Sequence, residues 1–234
     1  IANARDRAAA HPMLAGARPC VLMMRSLLLK PFTKPVVFAL ALLPFGWLLY
    51  GALTQNLGAN PAEALIRSTG DWTLRALCVV LAVTPLRVIT ATPALARFRR
   101  MLGLFVYFYA VLHLLCYSWL DMAFVLGDIV RDIAKRPFIL VGFAAVLLLT
   151  ALAATSFNRA VKALGARRWR RLHKLVYAIA ALALLHFFWM RSGKNDFAEV
   201  GVYAAVITSL LGWRVVHAWR QRRRAAEVAS SSPA

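Results

Sequence analysis

Long apolar runs alternate with short polar segments along most of the chain, and the length of the runs settles the class. Six stretches suffice to cross a bilayer: Val36–Leu53, Trp72–Ile89, Met101–Trp119, Phe138–Thr155, Leu172–Met190 and Ala198–Val216. A spanning helix needs about 17 to 25 predominantly apolar residues. Asn60-Pro61, Ser68–Asp71, Arg136-Pro137 and Ser192–Asp196 read as turns between them. Arg75 and Pro85 make the second span the weakest, and Pro44-Phe45-Gly46 interrupts the first. The segment Met122–Ile133 is half apolar and reads as an amphipathic helix at the membrane interface. The pattern predicts an all-α integral membrane protein, a bundle of six transmembrane helices.

Composition agrees. Hydrophobic residues make up 61% of the 234-residue chain and charged residues 16%, with mean hydropathy +0.64. A single water-soluble core of this size cannot hide so much apolar surface. The formal net charge is +20, from 29 Lys and Arg against 9 Asp and Glu. On a soluble protein that excess would suggest nucleic acid. Here the cations fall between apolar runs, where they set topology, so no nucleic-acid partner is expected. They concentrate before the first span, in the 86–100 and 156–171 loops with Lys174, and after the last span. The alternate loops carry few, among them Arg67, Arg131, Lys135, Arg136, Arg191 and Lys194. Both termini are therefore expected in the cytoplasm.

The chain divides into three parts. Residues 1–23 lack helical periodicity and read as an extension outside the fold, residues 24–220 as the membrane domain, and residues 221–234 as a basic, solvated cytoplasmic tail. Cys20, Cys78 and Cys116 form no CxxC pair and support neither a disulfide framework nor a zinc site.

Ionisable residues inside spans are costly and need a reason. His113 lies twelve residues beyond Met101, about 18 Å from the cytoplasmic edge; His186 lies fourteen beyond Leu172, about 21 Å from it. Two neutral imidazoles at matched depth on different helices are what a bis-histidine haem requires. The competing reading, a carbonyl partner for each histidine, accounts less well for a matched pair. A proton relay would want carboxylates at that depth, and the third and fifth spans have none. His173 lies about 20 Å from His186 along the same helix, in the other leaflet. It reads equally as a ligand of a second haem or as a solvated member of Arg167-Arg168-Trp169-Arg170-Arg171-Leu172-His173. His217 falls in the same layer but sits in an interfacial run.

Several motifs occur in a telling order. They are Asn60-Pro61-x-Glu63, Thr69-Gly70-x-Trp72, Thr84-Pro85-Leu86-Arg87, Arg99-Arg100-Met101-Leu102-Gly103-Leu104 leading to His113, and Lys135-Arg136-Pro137. Leu152-Ala153-Ala154-Thr155-Ser156 follows, then Leu164-Gly165, Trp169-Arg170-x-Leu172-His173, Tyr177 and His186. From about residue 27 to 219 the chain resembles the ferric-reductase-like transmembrane family, and within it the haem-binding membrane subunits that serve methionine-sulfoxide reductases. The resemblance implies haem b, one or two, held by His113, His186 and His173, with FMN as a further cofactor. It implies electrons drawn from quinol and passed to a periplasmic molybdenum-containing reductase, so that this chain is an electron-transfer subunit rather than the catalytic one.

One departure stands out: where wider relatives carry an inner histidine on the third helix, this chain has Arg99 and Arg100. The axial partner of His173 is then His217, a non-histidine group, or nothing. These 234 residues contain no GxGxxG and no segment large enough to bind NADPH, so a self-contained NADPH oxidase is not expected. Two other classes stand against the leading one: a stand-alone ferric or cupric reductase, and a cofactor-free transporter or scaffold.

Overall fold

The computed structural model describes residues 26–192 and 197–231. The 1–23 extension, Cys20 and most of the expected Ser192–Asp196 turn lie outside the described residues. The order is α1 (Thr33–Leu53), α2 (Pro61–Ile89), a short 3-10 turn (Pro93–Phe98), α3 (Arg99–Cys116) and a π-helical turn (Tyr117–Asp121). Then come α4 (Leu126–Lys135), α5 (Pro137–Ala154), α6 (Asn158–Leu172), a 3-10 turn (His173–Leu175), α7 (Val176–Ser192) and α8 (Ala198–Ser231). Six helical segments are long and apolar enough to cross a membrane, and no strand occurs among the described residues. The end of the bundle where α1 starts and α8 finishes is here called inner.

Helix starts follow local chemistry. The Asn60 side chain accepts from the Glu63 amide at 3.2 Å and donates to the Glu63 carboxylate at 3.3 Å, and Pro61 occupies the first helical position. That start lies earlier than the apolar pattern suggests, and α2 runs straight through Ser68–Asp71, which is helix and not turn. Its hydroxyls turn back onto the helix: Thr69 donates to the Leu65 carbonyl at 2.7 Å, and Thr73 to the Thr69 carbonyl at 2.9 Å. α1 likewise continues through Pro44. The 156–171 segment is not a loop but α6, broken at Gly165 (φ 72°, ψ 154°), where a side chain would be strained. The basic tail is also helical as far as Ser231, since Ala, Arg, Gln and Glu are good helix formers.

The buried core is shared by four helices and part of a fifth. Leu74, Leu77 and Leu81 of α2 meet Val106 and Ala110 of α3, Leu149 and Leu152 of α5, Ile179 and Ala180 of α7, and Ile207 of α8. α1 packs on the outside of α3 through Phe38 on Phe105 and Phe45 on Phe108. Outward-facing Leu40, Leu43, Trp47, Leu147 and Val202 are exposed, as lipid-facing side chains must be.

One contact explains a charged residue within the last span. Pro85 has no N–H to give the Leu81 carbonyl one turn back. The Arg214 Nη2 of α8 donates to that carbonyl at 2.7 Å, while its Nη1 donates to the Tyr177 hydroxyl at 3.2 Å. A carbonyl freed by proline must find a donor in a bilayer, and an arginine from the neighbouring helix supplies it. Arg214→Leu is therefore expected to cost about 1–3 kcal/mol. In a Pro85→Ala background, where residue 85 regains its amide, the loss shrinks. Thermal unfolding of the four proteins in detergent measures the difference, and equal losses in both backgrounds would remove the pairing.

Candidate cofactor site

A cavity of about 270 Å³ opens at the outer end between α2, α3, α5 and α7. His113 comes from the last turn of α3 and His186 from α7, and both line it. Their ring centres lie 6.2 Å apart with planes at 72°. The rest of the wall is largely apolar, including Leu74, Val106, Ala110, Phe138 and Phe143.

The two histidines are held in the same manner. His113 Nδ1 lies 2.9 Å from the Ile66 carbonyl oxygen, and His186 Nδ1 lies 2.7 Å from that of Phe138. A carbonyl can only accept, so each Nδ1 carries the proton and each Nε2 keeps its lone pair. Four residues after each acceptor the sequence has glycine. A Cβ on Gly70 would lie 3.2 Å from His113 Cε1, and one on Gly142 would lie 2.8 Å from His186 Nδ1. Each imidazole thus approaches a helix backbone where no side chain intervenes. Buried Thr69 adds a hydroxyl 3.4 Å from His113 Nδ1.

This donor set fits haem iron. Histidine that binds a metal through one nitrogen commonly donates the other N–H to a backbone carbonyl, which fixes tautomer and ring direction. Two imidazoles on one metal ion, each with a bond of about 2 Å, have ring centres about 6 Å apart.

The mouth of the cavity is polar. Arg67, Asp71, Tyr117, Asp121, Arg136 and Arg191 surround it. Arg67 pairs with Glu63 at 2.7 Å, Arg136 with Asp132 at 2.9 Å, and Arg191 with Glu199. Tyr117 donates to the other Asp132 oxygen at 2.7 Å, which ties α4 to the end of α3. The amphipathic segment expected at Met122–Ile133 is this α4, displaced by a few residues. Asp71 and Asp121 thus join the wall of the histidine cavity, although the apolar pattern had put both in connecting segments.

His173 is elsewhere, as its spacing requires. It lines a second cavity at the inner end, stacks on Trp169 with ring centres 3.9 Å apart, and has Nδ1 3.1 Å from the Trp169 carbonyl. Ser156 Oγ lies 3.5 Å from its Nε2. His217 is not brought to it. That ring stacks on Trp213 at 4.8 Å, hydrogen-bonds Gln221 at 3.0 Å, and is absent from the wall of the inner cavity. His173 is the single histidine among the described residues lining that cavity.

Residues 69–184 match the model of the family described as ferric reductase like transmembrane component. The protein-methionine-sulfoxide reductase heme-binding subunit MsrQ of Polaromonas naphthalenivorans is 71% identical over 197 residues, covering 84% of this chain and 90% of that protein. The MsrQ of Herminiimonas arsenicoxydans is 49% identical over 199 residues, covering 85% and 91%. The chain belongs to the MsrQ family. Magnetosome protein MamZ of Magnetospirillum gryphiswaldense is 45% identical over 193 residues, but these are 80% of this chain and only 29% of that longer protein. No solved structure matches the chain.

The acceptor carbonyls and the two glycines escape a reading based on side-chain chemistry. A trace was present nonetheless, since Gly142 interrupts the apolar Phe138–Ala154 segment and Gly70 stands in the Thr69-Gly70-x-Trp72 motif. Gly142→Ala is expected to push His186 off the Phe138 carbonyl and to lower bound haem and its low-spin EPR signal strongly. Gly70→Ala acts more mildly, and Gly103→Ala, with open space around it, has no effect. Equal haem content in all three variants would show that these close approaches do not matter.

Proposed function

We propose that this chain is a haem b electron-transfer subunit of the bacterial inner membrane, with haem held between His113 and His186. The observation that carries this reading is the matched pair of imidazoles, each with Nδ1 bound to a carbonyl and Nε2 available, 6.2 Å apart in one apolar-walled cavity. Haem supplies one-electron oxidation and reduction at its iron, and the protein sets its position, burial and potential. Here the Ile66 and Phe138 carbonyls strengthen ligand basicity by drawing on each Nδ1–H, and the apolar wall excludes water. Leu77, Val106 and Leu149 line both cavities, so one layer of apolar side chains separates the outer site from the inner one at His173. His173 is the proposed ligand of a second haem, and FMN is the further cofactor.

The cation distribution supports an inner end in the cytoplasm. Electrons then enter from quinol and leave on the periplasmic side to MsrP, a molybdenum-dependent reductase that repairs methionine sulfoxide in periplasmic proteins. The names of the 71% and 49% identical relatives support a place in a methionine-sulfoxide reductase system. A stand-alone ferric or cupric reductase is less well supported, because Glu63, Asp132 and Glu199 at the outer mouth are already paired with Arg67, Arg136 and Arg191 and so are not free to gather a metal cation. The polar rim and the tethered α4 suit a docked protein better.

The decisive measurement is a dithionite-reduced minus oxidised spectrum of the purified protein. A b-type signal is expected in the wild type, and His113→Ala or His186→Ala abolishes at least half of it. His173→Ala removes only the inner contribution. A colourless wild-type protein, made with ample haem, would instead favour a transporter or scaffold.

A further inference from the structure

The two imidazoles of the outer site are held alike, yet their surroundings differ by one hydroxyl. Each Nδ1 faces a carbonyl four residues before a glycine, Ile66 before Gly70 on α2 and Phe138 before Gly142 on α5. The residue just ahead of the glycine is Thr69 in the first case and Val141 in the second. Both are β-branched and of similar bulk, so the hydroxyl is what distinguishes them.

Thr69 is only 1% exposed, and its hydroxyl has three neighbours. The Leu65 carbonyl oxygen lies 2.7 Å away, that of Ile66 3.0 Å, and His113 Nδ1 3.4 Å. A hydroxyl has one proton to give and two lone pairs to accept with. The proton goes to the nearest acceptor, the Leu65 carbonyl, which is the usual back-bond of a helical threonine. A lone pair is then left for the Nδ1–H of His113, which also meets the Ile66 carbonyl at 2.9 Å. The His113 N–H thus has two acceptors. That of His186 has one among the described residues, the Phe138 carbonyl at 2.7 Å. Back-bonding alone conceals a hydroxyl, as it does at Thr73. At Thr69 the same hydroxyl also meets a ring nitrogen from another helix.

We propose that Thr69 is a positioning residue that makes the two axial positions of the outer site unequal. By accepting from the Nδ1–H, its hydroxyl leaves more electron density at His113 Nε2 and lowers the reduction potential of an iron held there. Electron-rich axial ligands favour the oxidised metal, and hydrogen bonds to those ligands are one of the protein's means of setting the potential. This role rests on the haem reading above. A lower potential makes the outer iron a stronger reductant toward an acceptor docked at the outer mouth.

Potentiometric titration of the purified full-length protein, followed at the b-type band that His113→Ala removes, tests this role. Three variants accompany wild type. Thr69→Val removes the hydroxyl and keeps the bulk, Thr69→Ser keeps the hydroxyl, and Val141→Thr offers one at the matching position on α5. A neutral hydrogen bond of ordinary strength corresponds to roughly a two- to tenfold change in an equilibrium. Thr69→Val is expected to raise the midpoint by that factor, a tenfold change being about 59 mV for one electron. Thr69→Ser keeps the wild-type midpoint, and Val141→Thr lowers it. Low-spin EPR separates a tuned bis-histidine iron from one that has lost a ligand. An unchanged or lower midpoint in Thr69→Val overturns the proposal, as does an equal rise in Thr69→Ser. Should Thr69→Val fail to bind haem, Val141→Thr decides: a lower midpoint supports the hydroxyl's effect, and an unchanged or higher one overturns it. A wild type with no His113-dependent haem would instead sink the haem reading itself.

Discussion

The hydrogen bond from an imidazole Nδ1 to a helix carbonyl, made where the fourth following residue is glycine, is the constraint on which this bundle turns. It occurs twice, between α2 and α3 through Ile66 and His113, and between α5 and α7 through Phe138 and His186. In a bilayer a buried imidazole N–H has no water to turn to, so the bond sets the rotation of each donor helix about its axis. Glycine makes it possible, because a Cβ at either position would meet the ring. Two helix pairs locked in this way present two lone pairs to one space. A metal-binding geometry thus follows from backbone chemistry as much as from the histidines.

The same demand for internal partners explains polar residues that look misplaced in the apolar pattern. Arg214 answers the carbonyl that Pro85 leaves open. Tyr109, fully buried, donates to the Ala41 carbonyl in the turn before Pro44 and so fastens α1 to α3. Trp169 donates its indole N–H to the Thr155 carbonyl at the end of α5, which seats the basic α6 beneath the bundle. Each of these side chains closes an account opened by the backbone, and each also fixes which helices are neighbours.

Much of this was legible beforehand because lipid imposes simple rules on sequence. Span length and the spacing of His113 and His186 follow from a fixed rise per residue, so number, rough limits and depth could be read directly. Limits failed where a polar residue finds its partner on its own helix: Ser68–Asp71 looks like a turn because Thr69 and Thr73 conceal their hydroxyls one turn back. The basic 156–171 segment looked like a loop because charge density hides helix propensity, and Gly165 marks a break rather than an absence of helix.

The amino-acid order alone settled that the chain is a six-span helical membrane protein with two histidines at one depth, since hydropathy and helical rise are local and additive. It could not settle which carbonyl each ring would meet, that Asp71 and Asp121 would share the histidines' cavity, or that His217 would turn away from His173. Those depend on the rotation and packing of helices far apart in the chain. Nor could it gather Arg99, Arg170 and Arg214 around one cavity, since those residues come from separate helices and meet only when the bundle closes. In lipid, periodicity tells a helix how to cross, but only close packing between helices tells it which way to face.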